Sequence, residues 1–140
     1  MARNFMVMNQ KLFYKELGCL MYSLAAVDGK VADSEIATLK RIVREELVPL
    51  EVGTDKYGTD NAFITEFEFD VLVDQDAEPQ GCFDSFIAYI SMHKKEVSPK
   101  LKQVIMNMAH AVTGAFHGVN KDEVHLLAEL HRELEMAQKA

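Results

Sequence analysis

An all-α fold, a single compact bundle of six to seven helices spanning residues 1–140, is what three observations on the sequence predict. Apolar residues recur at helical spacing along most of the chain. Helix caps and breakers punctuate it at short intervals. Its two ends echo each other as helical hairpins. A length of 140 residues suits one domain with one sizeable core. A hydrophobic content of 49% with only 3 Pro and 7 Gly argues for a packed globule. Eight Met and no Trp lean towards adaptable helix packing.

The first hairpin is the clearest stretch. Over residues 8–27, Phe13, Leu17, Leu20, Met21 and Leu24 fall on one face of a 3.6-residue helix. Ile36, Leu39, Val43, Leu47 and Leu50 repeat that stripe on a helix over 33–48, which Pro49 stops. Asp28-Gly29 forms the elbow, because glycine readily takes the left-handed conformation that ends a helix. Residues 51–59 are turn-rich. Residues 60–74 alternate as a strand would at Phe63, Thr65, Phe67, Phe69, Val71 and Val73, yet Phe63, Phe67 and Val71 also fit a helical stripe. A lone strand would find no partner in this chain, so helix is preferred. A loop over 75–81 leads to a helix over 82–94, with Phe83, Phe86, Ile87 and Ile90 inward. Ser98-Pro99 opens a helix to residue 116 that buries Leu101, Val104, Ile105, Met108, Val112 and Phe116. Gly118 ends it, and Asn120 with Glu123 resembles a capping box for a last helix lined by Val124, Leu127, Leu130 and Leu134.

The net charge of −7 is unevenly spread. Residues 45–84 hold twelve acids against Lys56 alone. Such a middle repels phosphate backbones, which argues against nucleic acid and favours a cation or a basic protein partner. Cys19 and Cys82 form no CxxC and no Cys/His zinc spacing, and read as two buried thiols in a reducing compartment. The stretch MARNFMVMNQ has no long apolar core or cleavage site, and no apolar run reaches the ~18 residues of a membrane span. The expectation is a cytoplasmic protein without a transmembrane segment.

AAVDGKVADSE at 25–35 and AFHGVNKDE at 115–123 share the order helix end, Gly, Val, polar cap, Glu. These two hairpins form a pseudo-repeat, with His117 standing where the first copy has Asp28. AAVDGKVADSEIATLKRIV resembles the tellurite-resistance TerB-like domain, well over 17–48 and more loosely over 98–138. The resemblance implies an all-helical fold of about seven helices and a non-enzymatic binding or scaffold module of a stress or metal-resistance system. It also implies an acidic surface that binds a divalent cation, a partner protein, or both. On matching positions it implicates Asp28, Glu35 and Glu123, with Asp33 and Asp122 beside them. His117-Gly118 replaces the second Asp-Gly, which suits a softer ion better than a hard one.

Read by themselves, these carboxylates carry two meanings. Asp28, Asp33, Glu35, Asp122 and Glu123 with His117 can hold Ca²⁺, Mn²⁺ or Zn²⁺, but helix capping alone also explains their spacing. Glu66, Glu68, Asp70 and Asp74 are a docking face for a basic partner or simply a solvated face. His110 and His117 lie seven apart, with His125 and His131 on the next helix; they can ligate a transition metal, though no i, i+4 pair supports it. No nucleophile elbow, triad or phosphate-cradling loop is present. The alternative readings are a metal-dependent hydrolase built on His117 and neighbouring carboxylates, and a purely structural homodimer.

Overall fold

A computed structural model describes residues 10–27, 29, 31, 33–50, 55–115 and 121–138, with side chains at all of these except 10, 47–50, 55–62, 115, 123 and 138. The chain is all-α. Among the described residues six helices follow in order: α1 (Gln10–Ala26), α2 (Asp33–Leu50), α3 (Asp55–Gln75), α4 (Pro79–Met92), α5 (Pro99–Ala115) and α6 (Lys121–Gln138). A short 3-10 turn at Lys94–Glu96 joins α4 to α5, and no strand occurs among the described residues. Residues 60–74 are therefore helical, as the lack of a partner strand requires.

Helix α1 lies at the centre, packed against α3, α4 and α5. All five of its stripe residues are buried, and so are Tyr14, Cys19, Tyr22, Ser23, Ala25 and Ala26. A helix apolar on nearly every side belongs in the interior. Each large side chain buried there contributes on the order of 1.5–3 kcal/mol. Two polar side chains in this interior bond to backbone. Ser23 Oγ donates to the Leu20 carbonyl at 2.7 Å, and Thr65 Oγ1 donates across from α3 to the Tyr14 carbonyl at 2.7 Å. At Gly18 α3 comes close to the α1 backbone. A β-carbon there would stand 2.9 Å from both the Glu68 β-carbon and the Thr65 carbonyl oxygen.

Several boundaries differ from the sequence expectation. Helix α2 runs through Pro49 to Leu50, and α3 begins at Asp55, inside the stretch read as turn. Helix α4 starts at Pro79 rather than 82. There the Glu78 carboxylate accepts from the Gln80 and Gly81 amides at 2.9 and 2.7 Å, with proline at the first helical position. Cap and proline sit inside the stretch read as loop.

Two apolar stripes are also displaced. On α3 the inward face is Thr65, Phe69 and Leu72, while Phe63 and Phe67 are 50% and 69% exposed. On α6 it is Leu126, Leu130, Leu134 and Ala137, while Val124 is 52% exposed. Both helices have apolar residues on more than one side, so spacing alone does not choose the buried one. Helices α5 and α6 pack on each other, but α2 lies against α3 and α5 rather than back along α1. The first hairpin is splayed. The second elbow, 116–120, with Phe116, Gly118 and Asn120, lies outside the described residues. Among the described residues no helix is long and apolar enough to cross a membrane.

The close approach at Gly18 gives a paired test. Gly18→Val should destabilise the protein by ~1–3 kcal/mol through overpacking. Gly114→Ala, at a position where an added β-carbon meets nothing within 4 Å, should stabilise it by up to ~1 kcal/mol. Urea unfolding followed by circular dichroism reads both.

Candidate functional site

The first elbow bends where expected. Gly29 has φ +147°, a conformation that L side chains rarely adopt, and its amide bonds to the Ala26 carbonyl at 3.0 Å. Both carboxylates of the first turn of α2 favour its N-terminal dipole. Their settings differ: Asp33 is exposed and Glu35 is buried. Asp122 is exposed in the first turn of α6. Asp28, His117 and the Glu123 side chain lie outside the described residues. Among the described residues, no three His, Cys, Asp or Glu side chains gather in one group.

The acidic run of α3 divides by helical geometry. Positions 66, 70 and 74 recur every fourth residue on one stripe, and 68 falls on another side. The first stripe meets the basic residues of α2. Arg44 grips Glu66 with two N–H groups, Nε to Oε2 at 2.7 Å and Nη2 to Oε1 at 3.3 Å, and Lys40 Nζ reaches Asp70 at 2.9 Å. The Glu66 side chain is only 7% exposed. Its hydrogen bond pushes the Arg44 guanidinium further up from its already high range. The Arg44 guanidinium carbon also sits 5.2 Å from the Phe63 ring centroid, a cation–π contact. Glu66 and Asp70 thus join α3 to α2.

Glu68 faces α1 instead, with Cys19 Sγ at 4.0 Å from its Oε2. Burial raises its carboxyl above the ordinary range; Lys15 opposes that and Glu16 adds to it. Burial, helped by Glu16, Glu68 and Cys82, pushes the Cys19 thiol up to about 12. Cys82 is raised chiefly by burial as well, with Glu78 next. Both cysteines are free thiols, one buried and one half-buried. The thiolate is the reactive form, so neither is an activated nucleophile.

Asp74 belongs to a different place. With Asp76, Tyr22, Val31 and Val73 it lines an open cleft of about 250 Å³ beside the first elbow. The cleft owes its shape to the end of α3. Asp76 has φ +51°; its amide bonds to the Val73 carbonyl at 3.1 Å, and the Ala77 amide to the Leu72 carbonyl at 3.0 Å. That is a Schellman cap with Asp in the left-handed position usually given to Gly. Tyr22 Oη donates to the Ala77 carbonyl at 2.7 Å and fixes the loop to α1. The sequence offers Asp76 only as part of the acidic run 66–78; its meeting with the elbow depends on how α3 crosses α1.

On a third face, Phe63, Ile64 and Phe67 line an apolar groove of about 430 Å³ flanked by Lys15 and Glu68. Compared with protein-family models, with curated proteins and with solved structures, the chain gives no match.

Two outcomes follow from these charges. Arg44→Met leaves the nearly buried Glu66 without its partner and should cost ~1–3 kcal/mol, whereas Lys40→Ala, at a more exposed pair, should cost at most ~1 kcal/mol; chemical denaturation compares them. Glu68 has a raised folded pKa, so its ionised form disfavours the fold at neutral pH and this penalty fades as pH falls through the carboxylate range. Glu68→Gln should therefore raise the thermal midpoint near neutral pH, and the gain should shrink on acidification.

Proposed function

We propose that this chain is a non-catalytic binding or scaffold module of the TerB-like kind, one that acts through the acidic cleft beside its first elbow. The observation that carries the reading is the meeting of Asp74 and Asp76 with Val31 and Tyr22 in that cleft. Carboxylates from the end of α3 thereby stand next to the elbow that sequence resemblance singles out. Clustered carboxylate oxygens suit a divalent cation such as Ca²⁺ or Mn²⁺, or a basic side chain of a partner. The cleft is open, and Tyr22 and two valines line it together with the two carboxylates.

A protein partner has a second point of support. Phe63 and Phe67, one helical turn apart and both exposed, place two aromatic rings on the surface of α3. Exposed aromatic pairs of this kind characterise surfaces that receive another protein. The charge pattern agrees with a binding role rather than a catalytic one: α2 pairs with Glu66 and Asp70, and burial holds both cysteines as thiols.

Calorimetric titration of the metal-stripped protein with Ca²⁺ and Mn²⁺ tests the cation reading. The Asp74→Asn, Asp76→Asn protein should bind at least about tenfold more weakly, with its thermal midpoint nearly unchanged because both side chains are exposed. Glu35→Gln, at a buried position, should lower the midpoint instead. Equal binding by the doubly substituted and unaltered proteins would overturn the cleft as the cation site.

A further inference from the structure

We infer that the groove between α5 and α6 is a binding site for a late first-row divalent metal ion, held by His110 and His131. The two histidines are 21 positions apart in sequence and on different helices, yet they line one groove of about 290 Å³ with Lys102, Gln103, Met106 and Asn107. An ion pair between Lys102, near the start of α5, and Glu135, near the end of α6, marks the register that brings them together. A contact from the start of one helix to the end of the other is that of an antiparallel pair. Lys102, Met106 and His110 then form one stripe at every fourth residue of α5. His131, one turn before Glu135, stands on the matching stripe of α6.

The chemistry of the groove favours a metal over other ligands. Both histidines are exposed, and neither imidazole hydrogen-bonds to any described residue. Neutral imidazole is a good ligand for Zn²⁺, Ni²⁺ and Cu²⁺, and a poor one for Ca²⁺ or Mg²⁺, which prefer oxygen. The only ammonium among the lining residues, that of Lys102, is held by Glu135, so its repulsion of a cation is offset. The Gln103 side-chain amide donates to Asn107 Oδ1 at 2.9 Å, so that oxygen is engaged, and the two imidazoles are the ring-nitrogen ligands the groove offers. An anion, by contrast, would meet the Glu135 carboxylate beside the one lysine. Two protein ligands leave the remaining positions of the ion to water. Binding would clamp α5 to α6 without involving the acidic cleft.

The test is calorimetric titration of the metal-stripped full chain with Zn²⁺ and Ni²⁺ near neutral pH, with thermal unfolding in parallel. His110→Ala and His131→Ala should each weaken binding at least about tenfold and abolish the metal-dependent rise in thermal midpoint. His125→Ala, at an exposed α6 position outside the groove, should leave both unchanged. His110→Asn and His131→Asn, which keep a polar side chain of similar size, repeat the comparison if either alanine variant unfolds. Full-strength binding in any folded His110 or His131 variant would overturn the proposal, as would no saturable binding by the unaltered protein. The Asp74→Asn, Asp76→Asn protein should retain this site, which separates its failure from that of the acidic cleft.

Discussion

The close approach of α1 and α3 at Gly18 is the constraint on which the rest of this architecture depends. With no side chain at that position, the Thr65 carbonyl and the Glu68 β-carbon come within reach of the α1 backbone. Three further contacts follow from that proximity. Thr65 can donate to the Tyr14 carbonyl, Phe69 meets Tyr22 edge-on at 6.1 Å, and Tyr22 reaches the loop after α3. Buried hydroxyls that donate to backbone carbonyls cost little, because their polar atoms are satisfied. Helix α1 is thereby closed on nearly every side, and α4 and α5 pack around what remains of it.

The placement of α3 also decides the fate of the acidic middle. An acidic helix beside an acidic neighbour would be repelled. Helix α2 carries Lys40 and Arg44 one turn apart and meets Asp70 and Glu66, also one turn apart. The two ion pairs tie α2 to α3 at successive turns of each helix. The Glu66 carboxylate, nearly buried, makes the more demanding of them, because an unpaired charge in its place would be costly. Two further carboxylates of this middle, Asp74 and Asp76, are exposed at the end of α3 beside the elbow.

Each surface of the molecule therefore has a distinct chemical character. The α2–α3 seam is neutralised; the elbow cleft is acidic; the Phe63–Phe67 groove is aromatic; and the α5–α6 groove presents imidazole. The cysteines between α1, α3 and α4 are the reverse of an activated pair, because burial and nearby carboxylates both disfavour the thiolate.

The sequence by itself determined the helical class and most of the core. The α1 stripe, the Ser98-Pro99 start and the bend at Gly29 follow from local rules of spacing, capping and backbone conformation, which act within a turn or two of helix. Ser98 Oγ does accept from the Leu101 amide, at 3.0 Å. Local rules fail where a helix has two apolar sides. Phe63 and Phe67 fit the stripe that periodicity offers for the core, yet Thr65, Phe69 and Leu72 face inward, because Gly18 admits α3 along that side. The same limit applies to the sites. Spacing can group Glu66, Asp70 and Asp74 on one side of α3, but only packing shows that α2 takes the first two and the elbow cleft the third. Packing also brings His110 and His131 into one groove. Such pairings join residues distant in sequence, so their geometry exists only once the helices have docked.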